Sequence, residues 1–497
     1  MSTTRLNPNT GSQIRFDPTA PHNPNLKRTG NRWEVQPTGI ASLDLANVQA
    51  AVDHGGIVLL KAGVFNFGDD TTGRHSLTIK RGTTIKGETG TDRSGTTWAT
   101  VVSGGGENLP SFAFGLPIAS GAFKVMNFGP MPPDGLAPGD NLPVIFEGLS
   151  FVGWAGEAIL TEACRGLEVR NCHFAKAGRA ATIFDCQVVH AYLAAGPFCS
   201  GHLRIEDNKC EFGCSQPASC LPDDENFGAT LGTNFGTIIV SRNIVFGHDD
   251  GFEILANAFP AVGATPVQHT SIIIENNQVN LTELVGEKWG GHAGIICAGN
   301  QNTDSLAISK NQVKTTGPGL AYCLTGYNFE FKENHAILEP LDPSNPQSYP
   351  VGGLSMGFNV PYPNLPDLGT SLWDSQIHHN KFCGTAGYGM MTSDINMLLP
   401  PGSPPQFPWN ESHKITGYAN DCQMLRVTGV HLLLTPRTYE NEFCGRGCET
   451  ALDLGTNNQI TGYSKGSGPP PPSASLSMQR LAQRIGLKLR AARFEMR

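Results

Sequence analysis

One eight-residue pattern recurs along the chain and restricts what it can fold into: apolar-x-apolar-x-x-Asn-x-apolar. It fits LRIEDNKC at 203–210, IIVSRNIV at 238–245, IIIENNQV at 272–279, LAISKNQV at 306–313 and FEFKENHA at 329–336. SQIHHNKF at 375–382 fits more loosely. Two earlier copies replace the Asn, VIFEGLSF with Leu149 and LEVRNCHF with Cys172, and a late copy carries Asn441. The marked positions are 149, 172, 208, 243, 277, 311, 334, 380 and 441, and most of the spacings fall between 23 and 37 residues. Alternation within each copy is that of a strand. A repeat of this period is the signature of a solenoid, in which each unit buries its apolar face only against its neighbours.

After each marked residue come a short second apolar piece, a Gly-containing turn and a third piece: GEAIL, GFEIL, AGIICAG, GLAYCL, GGLSMGF and GYGMMTS. Three short strands per coil, repeated, make a β-helix of roughly nine to twelve coils. The Asn positions then have a physical use. An amide at an internal turn can bond the backbone and the identical amide one coil away, satisfying groups that would otherwise be buried unpaired.

On these motifs the chain resembles the right-handed parallel β-helix, or pectin-lyase-like, superfamily. Its start is similar too. Residues 45–53 read as a short helix and residues 55–65, GGIVLLKAGVF, as a first strand. In many members such a helix caps the open end of the coil. The resemblance covers about residues 40–463 and implies an all-β fold: one right-handed parallel β-helix with a short N-terminal capping helix. It says little about function, because the fold hosts lyases, hydrolases, epimerases, esterases and non-enzymes. Residues 1–39 are expected to form an N-terminal arm. Residues 464–475, SKGSGPPPPSAS, read as a linker. Residues 476–497 read as a basic amphipathic helix, with Met478, Leu481, Ile485 and Leu489 on one face and Arg480, Arg484, Lys488 and Arg490 around the rest. Such a helix would cap the last coil or dock on an acidic partner or membrane surface.

Charge narrows the partners. A formal net charge of −8, with only 16% charged residues, argues against nucleic acid, which calls for a basic field. No stretch of 18 apolar residues is present, so no membrane span is expected. The start, MSTTRLNPNTGSQIRF, lacks the apolar segment of a signal peptide. The default expectation is therefore the cytoplasm, with export by a non-classical route left open. Most of the 13 cysteines are expected to be reduced and buried. The clusters Cys210, Cys214, Cys220 and Cys444, Cys448 give only a weak zinc signal, since structural zinc takes four ligands.

Long segments follow or precede the third strands, at 187–201, 215–234, 256–270, 338–351, 359–374 and 396–424. Insertions at equivalent places in stacked coils emerge on one side and would wall a groove suited to a polymer. A charged knot, His248-Asp249-Asp250, lies in the turn before one third strand. Asp249 is two residues before Gly251, and in the next coil His292 is two residues before Gly294. Stacked coils are ~4.8 Å apart, so the two would be vertical neighbours. A carboxylate beside an imidazole suits a general acid or base. Glu253 is the one acid in an outward strip read as Glu253, Ile296, Ala321, Ser355 and Gly389.

Asp249, Asp250, Glu253 and His292 are thus the candidate catalytic residues. Two carboxylates on a groove meet the minimum for glycoside hydrolysis. β-Elimination needs a base and a cation on the uronate carboxylate, which Arg242, Lys288 or a Ca2+ held by the acids would supply. No other cofactor is implied. Trp154, Trp289, Trp373 and Trp409 are placed in turns or loops, where indole faces stack sugars. The bland reading of the knot is a solvated polar turn. The expected function is carbohydrate processing or binding, leaning to a lyase or glycoside hydrolase. A non-catalytic structural or recognition β-helix is the alternative.

Overall fold

The computed structural model describes residues 5–6, 13–14, 24–68, 77–92, 95–104, 122–126, 142–153, 158–163, 166–175, 186–191, 202–211, 225–233, 236–247, 251–256, 270–282, 293–298, 303–317, 319–357, 372–392, 411–445 and 447–466. Each coil contributes one strand to each of three parallel sheets. In one coil these are Thr237–Ser241, Ile244–Gly247 and Phe252–Ala256, and the next coil returns with Thr270–Glu275. Ile238 sits on Ile272, Val245 on Val279 and Phe252 on Ile295. The second sheet has 11 strands, from Gly63–Gly68 to Asp421–Val427. The first and third sheets run alongside it and join at Leu320–Tyr327, which pairs with strands of both. The protein is a right-handed parallel β-helix, the hand that parallel crossovers take.

The core is the stacked inward column of each sheet. Val169, Ile205, Val240, Ile274, Ile308, Phe331 and Ile377 follow one another in register on the first sheet, all buried. Near the N-terminal end, Phe151 and Phe174 stack with ring centroids 5.0 Å apart. The helix Ala41–His54 closes that end by burying Val48, Ala51 and Val52. Gly56 follows it because a Cβ there would lie 2.5 Å from the Asn31 carbonyl oxygen. The arm expected over 1–39 contains an antiparallel hairpin, Leu26–Thr29 with Arg32–Val35, whose second strand adds to the first sheet. The tail expected to be helical, 476–497, lies outside the described residues. No described helix is long and apolar enough to cross a membrane.

Between the first and second sheets the chain turns in two residues. The first takes a left-handed conformation, as at Asn171, Asp207, Arg242, Asn276, Lys310, Glu333, His379 and Ala419. The second is the ladder residue. Asn277 Oδ1 accepts from the Asn243 backbone N–H at 3.0 Å and from Asn243 Nδ2 at 2.9 Å. Its own Nδ2 donates to the Val240 carbonyl at 2.9 Å and to Asn311 Oδ1 at 2.9 Å. The same bonds link Asn208, Asn243, Asn277, Asn311, Asn334 and Asn380. The ladder does not end at Asn441, as the repeat suggested, but at Asn420, which bonds Asn380. Asn441 belongs to a different corner, before the first-sheet strand Glu442–Cys444, where it bonds Asn458. Asn420 escapes the pattern because its coil has Gly417 at the core position. The Phe443 ring of the next coil fills that space, 2.3 Å from where a Cβ would stand.

Past Asp421–Val427 no described strand extends the second sheet, while the other two continue through Gln459–Thr461 and Ser464–Lys465. A disulfide between Cys422, in that last strand, and Cys448 staples the following coil instead. Cys448 is therefore not paired with Cys444 at a metal. Cys172, Cys297, Cys383 and Cys444 are free thiols. The two linked residues are 26 apart in sequence, so chain entropy predicts that the bridge contributes about 3.5 kcal/mol. We expect a Cys422→Ala/Cys448→Ala variant to unfold at distinctly lower urea than the parent. Coincident urea midpoints would show that the terminal coil holds without it.

Candidate functional site

The three outward faces differ in kind. On the first sheet, Lys86, Glu147, Arg170 and Glu206 stand in register and alternate in sign. Lys86 Nζ lies 3.1 Å from Glu147, Arg170 reaches both Glu147 and Glu168, and His202 Nε2 lies 2.7 Å from Glu168. On the second sheet Lys209 pairs with Glu211 at 2.6 Å and Lys314 with Glu339 at 2.9 Å. These faces largely cancel their own charge and offer little net field to a polyanion. The third sheet differs: its outward column from Ile296 to Leu433 is uncharged and buried. Ile296, Cys323, Ser355, Met391 and Leu433 follow Glu253 in register, and Cys323 and Ser355 have no exposed surface. Such strands read as unbroken apolar runs because both of their faces are covered.

This register corrects the strip read from sequence, where Ala321 and Gly389 stand in place of Cys323 and Met391. The offset is two residues in each of those coils. It preserves the inward and outward faces, because the strand period is two. Its cause is the corner before the strand. A Cβ on Gly251, Gly294 or Gly353 would meet Val279, Val313 or Phe382 of the second sheet at 2.6, 2.2 and 2.3 Å. Only a small residue fits there, and Ala321 and Gly389 hold that place in the remaining coils. Gly319 and Gly387 come two residues earlier.

For the coil with the charged knot, the expected register is present. A Cβ on Gly251 would lie 2.5 Å from the Gly294 carbonyl oxygen, and the Gly251 N–H donates to the Ala293 carbonyl. Glu253 occupies the strand Phe252–Ala256, paired between Ala229 and Ile296. His190 stands in the same column, next to Ala229. Asp249, Asp250, Lys288, Trp289, His292 and Trp154 lie outside the described residues. Arg242 belongs to the same coil as Glu253 but to the corner between the first and second sheets. Its guanidinium is held by Asp207 at 2.7 Å and by Glu206 at 3.3 Å, and the Asp207 hydrogen bond raises its pKa further. Trp373, expected in a loop, lies in the strand Leu372–His378, with one face stacked on His413.

The fold also assembles a relay that the residue pattern left unremarked. Ser150 Oγ lies 2.9 Å from His173 Nδ1, and His173 Nε2 lies 3.1 Å from Glu211 Oε2. Trp98 stacks on the imidazole at 4.9 Å. The signal was present: Ser150 and His173 each follow a ladder position, so stacking sets one on the other. The arrangement has the residue types of a nucleophilic triad with the access reversed. Ser150 is only 4% exposed, whereas the Glu211 carboxylate faces solvent. A nucleophile must meet its substrate, so this relay is a structural clamp. Cys383 and His335 form a second pair, Sγ to Nε2 3.2 Å. Burial raises the thiol pKa and lowers that of the imidazole, which favours neutral partners over an activated thiolate.

No protein-family model and no curated protein sequence matches the chain. Solved structures do. DFA-IIIase from Arthrobacter chlorophenolicus A6, in complex with DFA-III, matches 87% of this chain and 99% of its own at 13% identity, with a TM-score of 0.45. The A-module of a mannuronan C-5 epimerase from Azotobacter vinelandii matches 86% and 96% at 11% identity, TM-score 0.34. The surface protein and adhesin PfbA of Streptococcus pneumoniae matches 86% and 94% at 10% identity, TM-score 0.37.

Proposed function

We propose that the protein processes an extended carbohydrate along the outer face of the third sheet, with Asp249, Asp250, Glu253 and His292 as the reacting groups. The observation that carries this reading is the register at the charged knot. Gly251 sits on Gly294 and Glu253 on Ile296, and in the sequence Asp249 and His292 each come two residues before one of these stacked glycines. Glu253 stands next to the uncharged, buried run from Ile296 to Leu433, in a column that also carries His190 and Lys124. Among the described residues, most charges on the two other faces are paired with one another. One carboxylate acts as acid and a second as base or nucleophile if the bond is hydrolysed. If the product is unsaturated, His292 or a carboxylate takes the proton and Lys288 neutralises the uronate. Arg242, engaged by Asp207 and Glu206, is assigned no part in this.

The test is a screen of neutral and acidic polysaccharides against the full chain, reading reducing ends and unsaturated product separately. New ends with or without the enol ether absorbance identify the reaction as elimination or hydrolysis. Saturable binding without turnover of any substrate would replace this reading with the recognition role. Neither binding nor turnover across the set would overturn a carbohydrate role altogether.

A further inference from the structure

The two ends of the solenoid are closed unequally. At the N-terminal end the helix Ala41–His54 covers the stack and buries Val48, Ala51 and Val52. At the other end no helix does so among the described residues. The second sheet stops at Asp421–Val427, and the last two coils carry described strands of the first and third sheets only. Gly447 and the bridge to Cys448 cross the first residues of that strand. Beyond them its outer edge is open, and Met424 there is 70% exposed. Ile460, which follows Phe443 in the inward column, and Tyr463 end the core only partly buried. Leu454 of the same coils is exposed. So are the carboxylates Glu440, Glu442, Glu449 and Asp453. The ion pair at this end joins Arg437 to Glu411, and none engages those four among the described residues.

We propose that the tail, residues 476–497, docks as an amphipathic helix on this end of its own solenoid. Three observations choose this occupant. First, the described chain ends where the cover is needed. Gly466 packs against Val430, just past the open strand, and a Cβ on it would lie 2.4 Å from Val430 Cγ1. From there residues 467–475 span at most ~32 Å, so the tail begins close to the end it closes. Second, the apolar surfaces match. Met478, Leu481, Ile485 and Leu489 recur at three- and four-residue steps, a stripe that needs an apolar surface to cover it. The end of the stack presents Met424, Leu454, Ile460 and Tyr463. Third, the charges are complementary. The tail carries six Lys or Arg against Glu495 alone, and the end of the stack carries the four carboxylates. Docking there also covers a strand edge that would otherwise be a template for pairing with another chain.

Hydrogen exchange of the full chain, read by mass spectrometry, tests the assignment. Amides of 476–497 are expected to be protected together with those of 421–427 and 459–461, at a level independent of protein concentration. Leu481→Asp/Ile485→Asp should remove protection from all three segments and leave that of 238–241, in the middle of the stack, unchanged. Glu442→Lys/Glu449→Lys should give a smaller loss in the same three. A tail that exchanges like a free peptide in the parent would overturn the proposal. So would a tail whose protection the apolar variant abolishes with no change at 421–427 and 459–461. Protection that grows with concentration would overturn closure within one chain and assign the end to a second copy. Protection of the tail only with phosphatidylserine vesicles would overturn it in favour of a membrane surface.

Discussion

Replacing Asn277 by Ala is expected to lower stability by about 4 kcal/mol, with a corresponding fall in the urea midpoint. The change strips the Asn243 backbone N–H of its acceptor and the Val240 carbonyl of the Asn277 amide. Both groups are sealed among buried neighbours, and a buried polar group left unpaired costs about 1–3 kcal/mol. The loss falls mid-ladder, where stability rests on contacts with the coils on either side. The ladder supplies its own control. At its N-terminal end Cys172 joins the ladder through its backbone N–H, which donates to Asn208 Oδ1, and its thiol donates to the Arg170 carbonyl. Cys172→Ala keeps the first of these bonds and should cost no more than about 1.5 kcal/mol. Equal shifts for the two variants would mean that the amide chain contributes no more than generic packing.

Much of this solenoid was legible because one residue type marks one corner. Six Asn positions, 208, 243, 277, 311, 334 and 380, stand where the pattern put them, and the strand alternation around them gives the core directly. The pattern failed where a neighbouring coil supplied the missing atoms. Gly417 reads as a break, yet Phe443 fills its place, so Asn420 went unseen and Asn441 was put on the wrong corner. The two-residue offsets at Ala321 and Gly389 have the same character. Which small residue occupies the tight corner is decided by Val313, Phe382 and Leu425 across the coil, and several glycines nearby compete on paper. The relay through Ser150, His173 and Glu211 is legible only once register is known, since its members are 23 and 38 residues apart. The charged knot was read from a register that Gly251 and Gly294 bear out in the backbone. Its side-chain chemistry is a matter for experiment.

That experiment is a double-mutant cycle on turnover. Asp249→Asn and His292→Ala are each expected to lower turnover of the polysaccharide identified in the screen by ~10²–10⁴, the range for loss of a positioned acid or base. On the proposed reading, Asp249 and His292, each two places before one of the stacked glycines, stand one coil apart, ~4.8 Å. A carboxylate and an imidazole at that separation act as one unit, the first orienting the second. Groups that act as a unit are non-additive, so the double variant should be little worse than either single one. Glu253→Gln tests the other carboxylate. It should remove turnover while leaving binding, because it stands on the same outward column without belonging to the pair. The thermal transition should stay near that of the parent throughout, since a turn outside the stacked core contributes little to it. Losses that multiply would mean two independent groups rather than a pair. A lowered transition with turnover falling only in proportion would reduce the knot to a polar turn between two buried strands.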